Sequence, residues 1–454
     1  MPVNGADANH KPSVAVIGAG LAGLSAAWLL SKQYDVTLYE RHNKAGMGVF
    51  TSDYASNGIN TRIDIPLRIF TPSYYPSLFA LYQHLGIEME ASDHASAFQY
   101  LLPNNSIKAF FQYKNIRWLN FKFSVLAPNS VNKNGLALTI AQYRFFKAIH
   151  QDIKNHRDLS AMTFADYLKT KSFNAHFIEQ LLLPALAVTL TCDFESVRQY
   201  PADLILEYLT CGVMKEGIVR AKLGVDGIVP KLTQGYKVNC GHEVLGIHTS
   251  DLASGKSSLM LSIEKRALGE VFQARFDHVI VASQADIAAN ILSASDGAFE
   301  QQAQLLKRIP METSRMVLHT DKSLVSNAKH TSPVSYLLSD NESRAATTVD
   351  LTKAFSTYKH QQPVFQTWHP IKQPKADAVI AQADFSRPLV TLDSRKAVAK
   401  LQHLNVHSPI KICGSYMANR FPLLDAAVES SVAMARQMGV AIPWESVSAC
   451  EKTS

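Results

Sequence analysis

Apolar and polar positions along this chain change period from block to block, and the changes mark its elements. Residues 13–17, SVAVI, are a short apolar run rich in β-branched residues, the pattern of a buried parallel strand. Gly18 ends it. Leu21, Leu24 and Trp28 then recur at helical spacing through Lys32, and DVTLYE at 35–40 reads as the next strand. Downstream, the pattern predicts a helix over 73–86, started by Pro76 near its first turn and stopped by Gly86. Further helical patterns cover 136–150, 163–169 and 174–190. Strands are predicted over 238–250 and 257–266, around a polar turn. Residues 276–292 read strand, turn, helix; 313–320 and 363–368 read as strands. Residues 410–417 are a strand running into a turn, and a helix over 425–439 follows.

No internal repeat or low-complexity linker separates these blocks, so the domains are expected to interleave. The N-terminal β-α-β, the strand at 276–282 and the C-terminal strand-turn-helix would then join one sheet. The expected division puts 1–90, 215–292 and 400–454 in a nucleotide-binding domain, and 91–214 and 293–399 in a substrate domain.

The 454 residues exceed one ordinary core, and 47% apolar with 18% charged residues indicates a globular, core-rich protein. The net charge of +7 is mildly basic, and no block of five Lys/Arg occurs, which argues against a nucleic-acid partner. A basic face toward anionic lipid or an acidic substrate stays open. The five cysteines, Cys192, Cys211, Cys240, Cys413 and Cys450, include no CxxC and no His at metal-ligand spacing to a pair. That predicts reduced thiols, no metal site and a cytoplasmic location. The polar start, MPVNGADANHKP, is not the pattern of a signal peptide. The longest apolar run, LLLPALAVTLTC at 181–192, is too short to span a bilayer and contains Pro184. It is expected to be a buried segment of the substrate domain.

The chemistry-bearing motif is Gly18-Ala19-Gly20-Leu21-Ala22-Gly23, a GxGxxG between strand and helix. Gly18 permits the tight turn, Gly20 lets the backbone approach a pyrophosphate, and Gly23 lets the helix pack close to the strand. The helix N-terminus offers free N–H groups and partial positive charge to phosphates. Glu40, followed by Arg41, ends the second strand at the spacing of a ribose-binding carboxylate, which disfavours a 2′-phosphate. No second GxGxxG is found, and the returning element ICGSYM with LLDAAVESSVAMA favours FAD over NAD.

On these residues the chain resembles the flavin-dependent amine oxidase / phytoene desaturase / protoporphyrinogen oxidase superfamily. More narrowly, it resembles predicted NAD/FAD-binding proteins associated with cyclopropane-fatty-acid-synthase-like methyltransferases. The marks run over nearly the whole chain: VIGAGLAGLSAAWLL with YE at 39–40, YYPSLFALYQHLGI at 74–87, FIEQLLLPALA at 177–187 and YPADLILEYL at 200–209. FDHVIVASQAD at 276–286, VLHTD at 317–321 and CGSYM…ESSVAMA at 413–435 complete them. The resemblance implies an α/β fold: a Rossmann-like FAD-binding domain of amine-oxidase type with an interleaved α+β substrate domain. It implies pyrophosphate and ribose contacts at Gly18, Gly20, Gly23 and Glu40, a backbone contact to adenine at Val244, and Ala282 on the nearby strand end. It places Gly414, Ser415 and Val428 on the C-terminal flavin segment.

Departures accompany the resemblance. Where the family has adjacent glycines and a basic residue, this chain has Gly46-Met47-Gly48, with glycine freedom on both sides of Met47. Lys44 or Arg68 then stands in for the basic residue. The commonly acidic position after Gly414 is Ser415, the helix Ser-Gly is Ser430-Ser431, and D-x-G-F-x becomes Asp64-Ile65-Pro66-Leu67-Arg68.

Arg68 is the first candidate for catalysis, as a fixed cation toward a reduced flavin or a substrate carboxylate or headgroup. Tyr416, just past the flavin turn, is the second, against a packed core tyrosine. His319 and His369 read as structural histidines. Cys413, at a strand end, reads as a small core residue rather than an attachment point for flavin. The aromatic-basic run 110–123 has two readings: an ordinary strand pair packed on one face, or a hairpin touching lipid in peripheral membrane contact. The expected activity is an FAD-dependent oxidoreductase, oxidase- or desaturase-like, removing a hydride from a lipophilic substrate such as a modified acyl chain or polyene. The alternatives are a flavin amine oxidase, a redox-neutral flavin isomerase, and a non-catalytic flavin- and lipid-binding partner of a methyltransferase.

Overall fold

The computed structural model describes residues 11–118, 121–211, 217–251, 257–295, 297–326 and 332–445. Within them, five strands form a wholly parallel sheet in the order Lys237–Cys240, Asp35–Glu40, Ser13–Ile17, His278–Val281 and Ile410–Ile412. The first strand, Ser13–Ile17, lies in the middle, which is why Val14, Ala15 and Val16 lose all contact with solvent. The chain then crosses over through the helix Leu21–Leu30, whose ten residues are all buried. Such a helix has no polar face because it is covered twice, by the sheet and by the last helix, Leu424–Gln437.

Small residues make this double cover fit. Ser431 Oγ donates to the Ala22 carbonyl at 2.8 Å and lies 3.1 Å from Ser25 Oγ. A side chain at Gly23 would place its Cβ 1.9 Å from the Gly18 carbonyl oxygen, so only glycine lets this helix start here. Gly18 has φ +104°, a conformation that an L side chain rarely adopts. Residues 238–250 contain two strands rather than one. Gly241, at φ +72°, turns Lys237–Cys240 out of the parallel sheet and into His242–Asp251, part of a three-stranded antiparallel sheet.

The second large sheet has eight strands: Val379–Pro388, Met311–His319, Phe365–Trp368, Ala346–Asp350, Val334–Leu338, Ser96–Leu101, Ile107–Trp118 and Phe121–Leu126. All neighbours are antiparallel except Val334–Leu338 with Ser96–Leu101. Helices between 133 and 210 share a buried cluster with it through Phe98, Phe111, Phe145 and Leu186. The helix Lys133–Lys154 is longer than its apolar pattern, because Asn132 caps it by accepting the Gly135 N–H. The helical stretch 174–190 contains a wider π turn at Ile178–Leu182, just ahead of Pro184. Proline has no N–H and crowds the carbonyl four residues back, which a wider turn relieves. The run 110–123 forms two adjacent strands, with its turn at 119–120 outside the described residues.

His319 is fully buried and satisfied. Its Nδ1 accepts the Asp321 amide at 3.2 Å, so its Nε2 carries the proton toward Thr367 Oγ1 at 2.7 Å. Cys192, Cys211, Cys240 and Cys413 are free thiols, and Cys450 lies outside the described residues. Among the described residues no helix is long and apolar enough to cross a membrane.

Two outcomes are expected. Gly23→Ala should cost roughly 2–4 kcal/mol, because backbone rather than a flexible side chain opposes the new methyl; chemical denaturation measures it. Burial pulls His319 down to about 4 from an ordinary 6.5. Folding therefore favours the neutral ring, and this contribution is complete above pH 6.5 and lost as pH falls toward 4. Between pH 7 and 4.5 the wild type should lose about 2 kcal/mol more than His319→Asn, and equal losses would show that the ring does not titrate this way.

Candidate functional site

A cavity of about 660 Å³ reaches from the N-terminus of the helix Leu21–Leu30 into the interior between the eight-stranded sheet and the helices of 133–210. At the nucleotide end it is lined by Gly20, Leu21, Ala22, Ala282, Gly414 and Ser415. At the far end the lining is hydrocarbon and aromatic, including Phe98, Phe146, Phe177, Leu182, Leu186 and Tyr336. The apolar run 181–192 supplies one wall, the π turn and Pro184 having turned Leu181, Leu182 and Ala185 inward. Among the described residues no carboxylate and no lysine lines the cavity; its full charges are Arg68 and Arg387.

The nucleotide end has the geometry of a phosphate cradle. Gly20 is the N-cap residue, with nothing within 4 Å of a Cβ added to it, so the backbone is open to the cavity. The first amides of the helix have no intrahelical acceptors and point along its axis. Glu40 shapes the loop, its Oε2 accepting the Ala19 N–H at 2.7 Å and its Oε1 the His42 N–H at 2.8 Å. Two accepted bonds leave a carboxylate further lone pairs for a ribose hydroxyl. These residues fit the phosphates and adenosine of a dinucleotide.

At the C-terminal segment, Gly414 N–H donates to Ser430 Oγ at 3.0 Å, and the Tyr416 ring stands where a Gly414 side chain would be. The Tyr416 hydroxyl donates to the Ser283 carbonyl at 3.2 Å, tying this turn to the strand end at Ala282. Burial raises the Tyr416 pKa well above the ordinary range, so its phenol stays protonated and acts as a tie. Ser430-Ser431, in place of Ser-Gly, anchors the turn with one residue and the first helix with the other.

The segment AGMGVF closes over this end. Met47 N–H donates to the Ala19 carbonyl at 3.1 Å, and the Met47 side chain is buried. The left-handed residues are Met47 (φ +56°) and Gly48 (φ +68°), not glycines on both sides of Met47. The carbonyls thus turned inward, Met47 O at 3.3 Å and Gly48 O at 3.1 Å, accept from Arg68 Nη2. Arg68 therefore braces the loop, whereas Lys44 is exposed and away from the cavity. The Arg68 Nε is buried with no hydrogen-bond partner among the described residues, and burial lowers the pKa of the group. Asp64, pushed up to about 6 by burial, accepts the Val225 N–H at 3.0 Å.

The structure brings together Gly20, Leu21, Ala22, Gly48, Arg68, Ala282, Gly414, Ser415 and Tyr416 on one cavity wall. Gly18, Ala19 and Gly23 lie behind it and set its backbone. Gly46, Glu40, Arg41, Val244 and Val428 do not line it; on the last helix Ala427, not Val428, faces inward. Cys413 is fully buried outside the lining, and His319 and His369 are outside it too. Sequence reasoning missed Arg387. It sits near the end of Val379–Pro388, and its only mark is one basic residue before the run Pro388-Leu389-Val390.

Residues 16–85 match the NAD(P)-binding Rossmann-like domain family. No curated protein sequence matches significantly. Among solved structures, a double mutant of putrescine oxidase, from a redesign of its cofactor binding, matches with a TM-score of 0.62 at 12% identity, covering 95% of this chain and 99% of that one. Cyclohexylamine oxidase from Brevibacterium oxydans IH-35A matches with a TM-score of 0.60 at 13% identity, covering 94% and 100%. A CLA-producing fatty acid isomerase from P. acnes matches with a TM-score of 0.64 at 13% identity, covering 94% and 98%. The chain therefore has the amine-oxidase-type FAD-binding fold, a Rossmann-like nucleotide-binding domain interleaved with a second, α+β unit.

Proposed function

We propose that the protein is an FAD-dependent oxidoreductase acting on a lipophilic substrate such as a modified fatty acyl chain or a polyene. One observation carries this reading: a cavity lined by no carboxylate among the described residues joins the GxGxxG helix to an aromatic and aliphatic interior. Gly18, Gly20, Gly23 and Glu40 would hold the phosphates and adenosine of FAD, and the segment at Gly414 and Ser415 its flavin end. Bound there, FAD supplies the hydride acceptor.

The chain's own residues do the rest. The walls at Phe98, Phe177 and Leu186 desolvate and align a hydrocarbon. Arg68 keeps a positive charge beside the loop at Met47 and Gly48, where it favours negative charge on the cofactor side. Tyr416 holds the C-terminal turn against Ser283. The two amine oxidases of similar fold suggest an amine as substrate, but a cationic amine would enter this cavity against Arg68 and Arg387 with no carboxylate to receive it. The fatty acid isomerase of similar fold supports a second reading, redox-neutral chemistry on the same class of substrate.

Three outcomes are expected. The purified protein should carry FAD or take it up, and protein that stays colourless after incubation with FAD would refute the reading. Anaerobic mixing with unsaturated fatty acids should bleach the flavin band; product without net bleaching would favour the isomerase, and neither, with lipid retained, a binding protein. Arg68→Ala should lower turnover at least about tenfold, or 1.4 kcal/mol, while shifting the melting midpoint by only a few degrees. Unchanged turnover would remove Arg68 from the site.

A further inference from the structure

Arg387 is a cation inside an apolar cavity with no anion of its own. Among the described residues it has no ion-pair or hydrogen-bond partner. Its guanidinium lies over the Trp368 ring, with Cζ 5.2 Å from the ring centroid. Burial, then the charge of Arg68, pulls its pKa down to about 10, so it remains protonated at neutral pH. Tyr75 and Tyr200 are the other groups in its field, and neither is ionised there.

Buried charges in folded proteins are paired or satisfied, because an unpaired one costs several kcal/mol. Four other arginines in buried or half-buried places obey the rule. Arg220 pairs with Glu90 at 2.6 Å, Arg395 with Asp203 at 2.6 Å, Arg344 with Glu312 at 2.5 Å, and Arg420 with Asp425. Arg68 spends its Nη2 on two carbonyls of the Gly46–Gly48 loop. Among the described residues, Arg387 alone of the cavity's charges keeps its donor fork free, with the Trp368 ring beneath it.

We infer that Arg387, over the Trp368 ring, is an anchor for the carboxylate of an amphipathic acid whose hydrocarbon tail occupies the apolar part of the cavity. A guanidinium offers parallel N–H donors that match a carboxylate bidentately. The single free fork matches one carboxylate. An apolar enclosure strengthens that pairing relative to water and penalises any ligand that leaves the cation unpaired. The substrate class becomes a long-chain carboxylic acid rather than a polyene hydrocarbon or an amine. This rests on the functional reading only in taking the cavity as the substrate site; it requires no turnover.

The test is equilibrium binding of monomeric oleate, oleyl alcohol and oleylamine to the protein as purified, followed by calorimetry and tryptophan fluorescence, with flavin content measured by absorbance. Oleate should bind at least tenfold more tightly than the alcohol, and the amine no better than the alcohol. Arg387→Met should abolish the preference for oleate and leave alcohol affinity within about twofold, while Arg387→Lys should retain part of it. Equal affinity for acid and alcohol, or tightest binding of the amine, would overturn the proposal without any variant. So would a preference that survives Arg387→Met, or one lost only in Arg68→Met. Loss of flavin from Arg387→Met with oleate preference intact would assign Arg387 to the cofactor instead. Flavin-free protein that still prefers oleate would support the anchor while counting against the FAD reading.

Discussion

The contact between the Gly18 carbonyl and the α-carbon face of Gly23 sets the distance on which the rest of the molecule depends. No side chain fits there, so the helix Leu21–Leu30 can start directly at the end of the central strand. Its N-terminal amides then open into the cavity instead of into protein. With its other side closed by the last helix, the helix is buried along its whole length, and serines replace larger side chains where the two meet. The last helix in turn carries Ser430, which fixes Gly414, and Ala427, which forms cavity wall. Residues from opposite ends of the sequence reach one wall because a single close approach is possible at Gly23.

Around that frame the electrostatics run one way. The cavity contains positive charge from Arg68 and Arg387 and from the helix terminus, and no carboxylate among the described residues lines it. Asp64 and Glu40 are turned to backbone amides instead: Asp64 to Val225, Glu40 to Ala19 and His42. Such a field suits anionic groups. The same field opposes a protonated amine, although amine oxidases share the fold. Fold and substrate are separate properties.

Met47 shows how a departure from a pattern can be absorbed. A residue with a side chain takes a left-handed conformation between two glycines, at a cost of about 1 kcal/mol. Burial of its side chain, its amide bond to Ala19 and the two carbonyl bonds from Arg68 offset that cost. Of the two basic residues expected to serve the loop, it is Arg68, 20 residues beyond Gly48, that reaches it.

Local chemistry in the chain was enough to determine the strand Ser13–Ile17, the GxGxxG turn, the following helix, the terminal acid Glu40 and the structural character of His319. Each follows from hydrophobic period, glycine conformational freedom or a backbone dipole, all of which act over a few residues. The division of residues 238–250 at Gly241 and the π turn before Pro184 were less legible, since each depends on which sheet or helix the segment must join. Arg387 was not legible at all. On its own strand it is one arginine among alternating residues, and its meaning comes from Trp368, Arg68 and Tyr75, which arrive from other strands and loops. Whether a charge has a partner is a property of the space around it, and only the tertiary structure brings that space together.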